Sequence, residues 1–289
     1  MKSAIKKLSL YYRPDIPEAD RWKNKITGWL GKNYPKIRID KENCLPKTNK
    51  DAPDLLVVLG GDGTIIEAAQ KYQRSNPLIL GLNLGHVGFL AAIRSKKDFI
   101  LGVKKVLGGH FHTFPRLMIK TTLIRKNKNI FSAYAMNDVT VQSLFGMVNL
   151  KISIAGHPVQ FIHGNGALIS TATGSTAYNL SAHGPIIMPD IKCMVLTELL
   201  DHGIPTPSIV IKRNQTITID VEDFRKRDRF LIRESGDMAD VILAADVERI
   251  IALKKGDKII VKKSDRFARF AELEKNYFFK SIQEKFAFR

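Results

Sequence analysis

Cysteine is almost absent from this chain: Cys44 and Cys193 are the only two in 289 residues. Two thiols build neither a disulfide framework nor a cysteine zinc centre, so the fold must rest on its hydrophobic core. Long apolar runs are missing as well, and nothing approaches the roughly 20 residues of a membrane span. After Lys2, Lys6 and Lys7 comes only Leu8-Ser9-Leu10, too little for the apolar core of a signal peptide. The expectation is a soluble, reduced, cytoplasmic protein with no membrane partner. Acidic residues are also scarce, 28 Asp+Glu against 46 Lys+Arg, which leaves a net charge of +18. Such an excess favours a polyanionic partner, nucleic acid or a phosphate-rich small molecule. Basic runs such as Arg225-Lys226-Arg227 lack the interleaved aromatics of a base-stacking platform, and no nucleic-acid motif is present. The charge therefore points to small anions, with most of it a solvated surface.

What is present reads as two domains, the usual outcome at this length. Strands are predicted over Ile5–Tyr11, Lys36–Ile39, Leu55–Leu59 and Leu78–Leu82. Between them lie helical patterns over Glu18–Leu30, carrying Trp22, Ile26, Trp29 and Leu30, and over Ile65–Arg74. Alternating strands and helices imply a Rossmann-like parallel sheet with right-handed crossovers, whose ligands bind beyond the carboxyl ends of the strands. A further helix is predicted over Lys97–Leu107. From Pro115 the texture changes to short β runs: Leu117–Ile124, Ile130–Ala135, Leu150–Ile154, Ala167–Ser170, Ser208–Ile211 and Thr216–Val221. Arg249–Leu253 and Lys258–Val261 read as a hairpin turning at Lys254-Lys255-Gly256-Asp257. Ala271–Phe286 returns to helical spacing, with Phe278, Ile282 and Phe286 as an expected buried stripe. The division is an α/β domain over 1–115, an all-β domain over 116–265 and a C-terminal helical segment over 266–289. With no flexible linker, the two domains are expected to pack closely about a cleft.

Three stretches carry candidate chemistry. In Gly60-Gly61-Asp62-Gly63-Thr64 a glycine turn joins a buried strand to a helix start, a layout whose exposed N–H groups favour phosphate. The carboxylate of Asp62 would repel a phosphate held against it and suits a hydroxyl or a magnesium ion, as phosphoryl transfer requires. Asn83 ends the next strand and opens a second glycine turn, Asn83 to Leu90. Asn137-Asp138 sets an amide beside a carboxylate, a pairing that suits vicinal ribose hydroxyls. Asn165 to Tyr178 includes five Ser and Thr hydroxyls around Gly174, ahead of a predicted helix over Thr176–Ala182. Hydroxyls at a helix start hold a diphosphate or ribose without adding charge. Each stretch also has a plainer reading, as an N-cap, a β-turn and a capped helix start respectively.

Taken together, the stretches resemble NAD kinases in order and spacing. The matching pieces are GGDGT at Gly60–Thr64, NLGHVGFL at Asn83–Leu90, ND at Asn137–Asp138 and STATGSTAYNLSAHGP at Ser170–Pro185. The likeness covers nearly the whole chain. GGDGT is shared with diacylglycerol- and sphingosine-kinase-like lipid kinases, whereas the TGSTAY run at Thr173–Tyr178 singles out NAD kinases. The resemblance implies an α/β domain, a sandwich-like, dinucleotide-binding β domain and a last helix returning to the first domain. It implies phosphorylation of the adenosine ribose 2′-hydroxyl of NAD, with Asp62 as general base and Gly63 against the substrate. Asn137 and Asp138 would hold ribose hydroxyls. Thr173, Thr176, Ala177, Tyr178 and Ser181 would line the dinucleotide pocket, with His163 and Asn165 near its nicotinamide end and Asn83 at the nucleotide site. ATP with Mg²⁺ would be the donor, with inorganic polyphosphate as the alternative in some members, and a homodimer or homotetramer the assembly. No tightly bound cofactor and no bound metal site are implied.

The chain departs from the family pattern at several points. Asp138 replaces the usual Glu, Asn165 the usual Asp, Ala172 a Pro and His183 a Gly, while a late Asp-Gly turn survives only as Asp246-Val247. The intact surroundings of Asp62 favour retained catalysis, and the departures bear on substrate fit at the nicotinamide end. A GGDGT lipid kinase and a non-catalytic NAD-binding regulator are the alternatives. His86 falls in the second glycine turn, near the expected ligand. His110 and His112 share a strand face but lack the third ligand that a metal site needs. His157, His183 and His202 read as surface or loop residues.

Overall fold

The computed structural model describes residues 5–40, 43–46, 48–85, 88–203, 206–232, 235–246 and 248–286. In chain order, the first elements are β1 (Lys7–Tyr12), α1 (Pro17–Asn33), β2 (Arg38–Ile39), β3 (Leu55–Leu59), α2 (Asp62–Lys71), β4 (Leu78–Leu82) and α3 (Phe99–Leu107). Next come β5 (His112–Arg125), β6 (Lys128–Ala135), β7 (Asp138–Ser143), β8 (Val148–Ile154), β9 (His157–Thr171) and the short α4 (Tyr178–Ser181). The chain continues through β10 (Cys193–Asp201), β11 (Ile209–Lys212), β12 (Ile217–Phe224), β13 (Phe230–Leu231) and β14 (Met238–Ala239). It ends with β15 (Val241–Ala245), β16 (Arg249–Ala252), β17 (Lys258–Glu272) and α5 (Tyr277–Phe286).

The chain forms two compact units, residues 1–116 with 266–289, and residues 117–265. In the first, β2, β1, β3 and β4 pair in that order, all parallel, and Arg269–Phe270 of β17 adds to β4 in parallel. Every residue of β3 and β4 is buried, which is why both read as unbroken apolar runs rather than alternating ones. Ile26 and Leu30 of α1 and Phe99, Val103 and Val106 of α3 close the core around these strands.

Among the described residues, the strand pairs formed within the second unit by β7 to β12, β15 and β16 are antiparallel. Its central strand β9 pairs with β8 over its first half and with β7 and β10 over its second. Strand β12 extends the sheet from β8 and pairs with Lys258–Val261, while β15 and β16 extend it from β7. Val139, Val141, Ile169, Met194 and Leu243 lie in its core.

Three local expectations are corrected. Helix α2 starts at Asp62, three residues before the expected Ile65, because extended Gly61 (φ −84°, ψ −176°) is its N-cap. The strands on either side of 254–257 do not pair as a hairpin: β16 joins β15, and Lys258–Val261 joins β12. The turn itself exists, with buried Asp257 accepting N–H from Lys254 (2.8 Å) and the Arg125 guanidinium (2.7 and 2.8 Å), but the strands it joins find their partners elsewhere in the sheet. At the C-terminus, β17 runs to Glu272 and consumes the start of the predicted helix. The buried face of α5 is Tyr277, Phe278 and Ser281, and Phe286 is 37% exposed. Among the described residues no helix is long and apolar enough to cross a membrane.

Candidate active site

Asp62 stands just beyond the carboxyl end of β3, as the first residue of α2. Its carboxylate does not cap its own helix. It reaches the turn after β4, where Oδ2 accepts the Phe89 N–H at 2.6 Å and Oδ1 the Leu90 N–H at 3.1 Å. Gly88 permits this approach, since a Cβ there would lie 2.2 Å from Asp62 Oδ1. The two glycine turns are thus halves of one construction. Burial raises the Asp62 pKa above the ordinary carboxylate value, opposed by the Phe89 and Leu90 N–H groups and by the charges of Lys285 and Arg116. A fixed carboxylate with raised proton affinity is suited to accept a proton. Gly63 is exposed on the same helical turn. Asn83 is buried and braces its own turn, its Nδ2 donating to the Gly85 carbonyl (3.1 Å) and its Oδ1 accepting the Gly85 N–H (3.3 Å).

Sequence reasoning passed over two residues around Asp62. Arg116 is 3% exposed, paired with Glu272 at 3.4 Å and flanked by the rings of Phe114 and Phe270. Tyr277 is buried too, and its hydroxyl pKa is pushed up by burial and by the charge of Asp62. Neither Arg116 Nε nor Tyr277 Oη has a hydrogen-bond partner among the described residues. A lone arginine in a β run and a tyrosine in a terminal helix carry no sequence signal for this.

In the second unit, Asn137 and Asp138 lead into β7. Asp138 is buried, and its carboxyl is pushed up to about 7, first by desolvation and then by Asp246. The hydroxyl-rich loop folds against this turn. Thr171 Oγ1 donates to the Met136 carbonyl (2.6 Å) and accepts the Gly174 N–H (3.1 Å), and a Cβ at Gly174 would lie 2.2 Å from the Asn137 carbonyl oxygen. Ser175 donates to the Ala172 carbonyl (2.7 Å) and accepts the Ile187 N–H (3.0 Å), while Asn179 Oδ1 accepts the Thr197 hydroxyl (2.8 Å). These side chains hold the loop's shape. Thr173 is buried, Thr176 and Ala177 are half-buried, and Tyr178 and Ser181 are exposed. Burial and then the charge of Asp138 push the Tyr178 phenol pKa up, opposed by the side chain of Gln142, a neighbour that the sequence did not flag. The helix predicted over Thr176–Ala182 is present but shorter, as α4, and is preceded by a 3₁₀ turn over Gly174–Thr176.

The structure therefore brings the Asn137–Asp138 turn against Gly174 and sets Tyr178 within the field of Asp138. His163 and Asn165 lie further along β9, seven and five residues from Ser170, the register partner of Asp138. At about 3.3 Å per residue that is roughly 23 and 16 Å. His163 is exposed and contacts Asn149. His86 and Val247 lie outside the described residues. Among the described residues no cluster of three or more His, Cys, Asp or Glu is arranged to hold a metal ion.

Residues 3–111 match the model of the ATP-NAD kinase N-terminal domain, and residues 136–273 that of the ATP-NAD kinase C-terminal domain. The NAD kinase of Syntrophotalea carbinolica is 29% identical over 97% of this chain and 98% of its own. That of Lachnoclostridium phytofermentans is 31% identical over 89% and 90%. Among solved structures, yeast NADH kinase complexed with NADH superposes with a TM-score of 0.86 at 21% identity, covering 100% of this chain and 89% of the other. The NAD kinase from Archaeoglobus fulgidus in complex with ATP gives 0.72 at 22%, covering 96% and 99%. With both domain models matched in order along the chain and full-length relatives at about this identity, the chain belongs to the ATP-NAD kinase family.

Proposed function

We propose that this chain transfers the γ-phosphoryl group of MgATP to the 2′-hydroxyl of the adenosine ribose of NAD, giving NADP and ADP. The observation that carries the reading is the Asp62 carboxylate, fixed by the Phe89 and Leu90 N–H groups at the end of a parallel strand, with its proton affinity raised by burial. The new bond joins the ribose O2′ to the γ-phosphorus as the bond to the bridging oxygen of ADP breaks. The hydroxyl proton passes to Asp62. In a loose transition state the nucleophile loses its proton late and positioning dominates the rate, so a carboxylate suffices as base.

Asn137 and Asp138 hold ribose hydroxyls. Gly63 contacts substrate and Asn83 belongs to the nucleotide site; Thr173, Thr176, Ala177, Tyr178 and Ser181 line the dinucleotide pocket, with His163 and Asn165 toward its nicotinamide end. Mg²⁺ enters with ATP as part of the substrate, and inorganic polyphosphate is the alternative donor. The net charge of +18 supports this reading, since both substrates are anions that a basic field steers inward. The enzyme is read as a cytoplasmic homodimer or homotetramer. Incubation of the purified chain with NAD, MgATP or polyphosphate, followed by quantification of NADP, tests the reading. Failure to form NADP with either donor would overturn it.

A further inference from the structure

We propose that the C-terminal helix α5 is a positioning element for Asp62, acting through Phe89; the inference rests on Asp62 being the catalytic base. The shorter of the two bonds that fix the carboxylate comes from the Phe89 amide, at 2.6 Å. That amide is where it is because the Phe89 ring is held. The ring is 3% exposed, with its centroid 5.6 Å from Phe278 and 6.4 Å from Phe286, and Lys285 Nζ lies 5.0 Å over its face. All three partners belong to α5.

Five residues further on, the helix grips the same segment again. Arg94 Nη2 donates to the Tyr277 carbonyl (2.9 Å) and to Ser281 Oγ (2.6 Å), and Nη1 pairs with Glu284 at 2.7 Å. On its other side, the segment is tied to β4 and its end by Ile93 N–H to Gly81 O (3.2 Å) and Asn83 N–H to Ile93 O (2.9 Å). The 89–94 segment is therefore clamped between strand and helix, and the groups that hold Asp62 are its first two N–H donors. The charged and titratable groups around Asp62 have related origins: Lys285 and Tyr277 come from α5, and Arg116 from β5. A helix that only covered apolar surface would have no reason to aim its aromatic contacts at the residue donating to the carboxylate. Small displacements of a catalytic group matter, since about 1 Å costs on the order of 10²-fold.

The test uses the full chain and steady-state kinetics with NAD and MgATP. Phe278→Leu is expected to lower kcat about tenfold while KM for NAD stays within about twofold. In an Asp62→Asn background the same substitution should change the residual kcat less than about twofold, because the group it positions is gone. Phe278→Leu also removes buried volume, so Arg94→Gln, which releases the second grip without emptying the core, is measured in both backgrounds with the same expectation. An equal fold-loss in both backgrounds, or a lowered thermal midpoint with kcat unchanged, would show the helix to be structural and overturn the proposal. Near-normal turnover of Asp62→Asn alone would instead overturn the catalytic reading of Asp62, a result distinct from failure of the helix proposal.

Discussion

Asp246 holds the turn that carries Asp138: its carboxylate accepts the backbone N–H groups of Met136, Asn137 and Asp138 at 2.6, 2.8 and 2.9 Å. The Asp246 N–H returns a bond to the Asp138 carbonyl at 3.0 Å. To donate it, Asp246 adopts φ +47°, a left-handed conformation that aspartate tolerates better than most residues. Two acids thus share one turn. Desolvation, then the nearby charge of Asp246, drives the Asp138 carboxyl up to about 7.

The Asp138 shift has a stability consequence with a definite sign. Its folded pKa, about 7, lies above the ordinary value near 3.9, so the folded state binds the proton more tightly. The contribution is fully present below about pH 4 and is lost as pH rises through about 7. Three pKa units correspond to about 4 kcal/mol at most. Asp138→Asn removes this titration. The stability of the parent minus that of Asp138→Asn, from denaturant unfolding in the absence of nucleotide, should therefore fall between pH 4 and 7 and level off above. A difference flat across that range would mean Asp138 does not titrate there.

Gly88→Ala should damage catalysis more than folding. The added Cβ would lie 2.2 Å from Asp62 Oδ1, and the carboxylate or the 88–90 backbone must move. Either movement breaks the register of the bonds from Phe89 and Leu90. The expected result is a drop in kcat of about tenfold to 10²-fold, with a smaller effect on KM for NAD. Steady-state kinetics beside a thermal melt checks it; unchanged kcat would show that the carboxylate position is not critical.

Arg125→Met should act on stability and not on chemistry. The Asp257 side chain is 1% exposed, and the Arg125 guanidinium gives it two bonds, at 2.7 and 2.8 Å. Removing the arginine leaves a buried carboxylate with one partner lost, which typically costs about 3–5 kcal/mol. A lowered denaturation midpoint with kcat retained is expected. An unshifted midpoint would mean that water replaces the guanidinium.

Strands β3 and β4 were legible residue for residue, because short runs with no polar side chain between breakers leave little choice of state. Asp62 was legible as a site through its glycine turn. Its supports were not, since Phe89 lies 27 residues away, and Arg116 and Tyr277 further still. The Asp246 clasp spans 108 to 110 residues. The false hairpin at 254–257 fails for the same reason: turn chemistry is local, but the choice of strand partner is made across the sheet by β12 and β15. In α5 the four-residue spacing of Phe278, Ile282 and Phe286 indicated the helix and its buried Phe278, but not Tyr277 and Ser281, which complete an inner face set by what the helix packs on.

Asn165 offers a test of substrate choice at the nicotinamide end. It is half-buried on β9, and the next residue, Gly166, has φ +144° and an α-carbon so close to Val141 that a Cβ would lie 1.9 Å from the carbonyl oxygen. The backbone at 165 is therefore held by its neighbour, and Asn165→Asp, nearly isosteric, changes charge and hydrogen-bonding role with little change of shape. A carboxylate only accepts hydrogen bonds and attracts the positive ring of oxidised nicotinamide; an amide donates as well and supplies no such attraction. If Asn165 faces that ring, Asn165→Asp raises kcat/KM for NAD relative to NADH. The charge term in a half-exposed, screened site is on the order of 1 kcal/mol, so a several-fold change in the ratio is expected. Both dinucleotides must be measured with both proteins at one ionic strength, because screening would otherwise mimic the effect. An identical NAD to NADH ratio in the two proteins would remove position 165 from recognition of the ring.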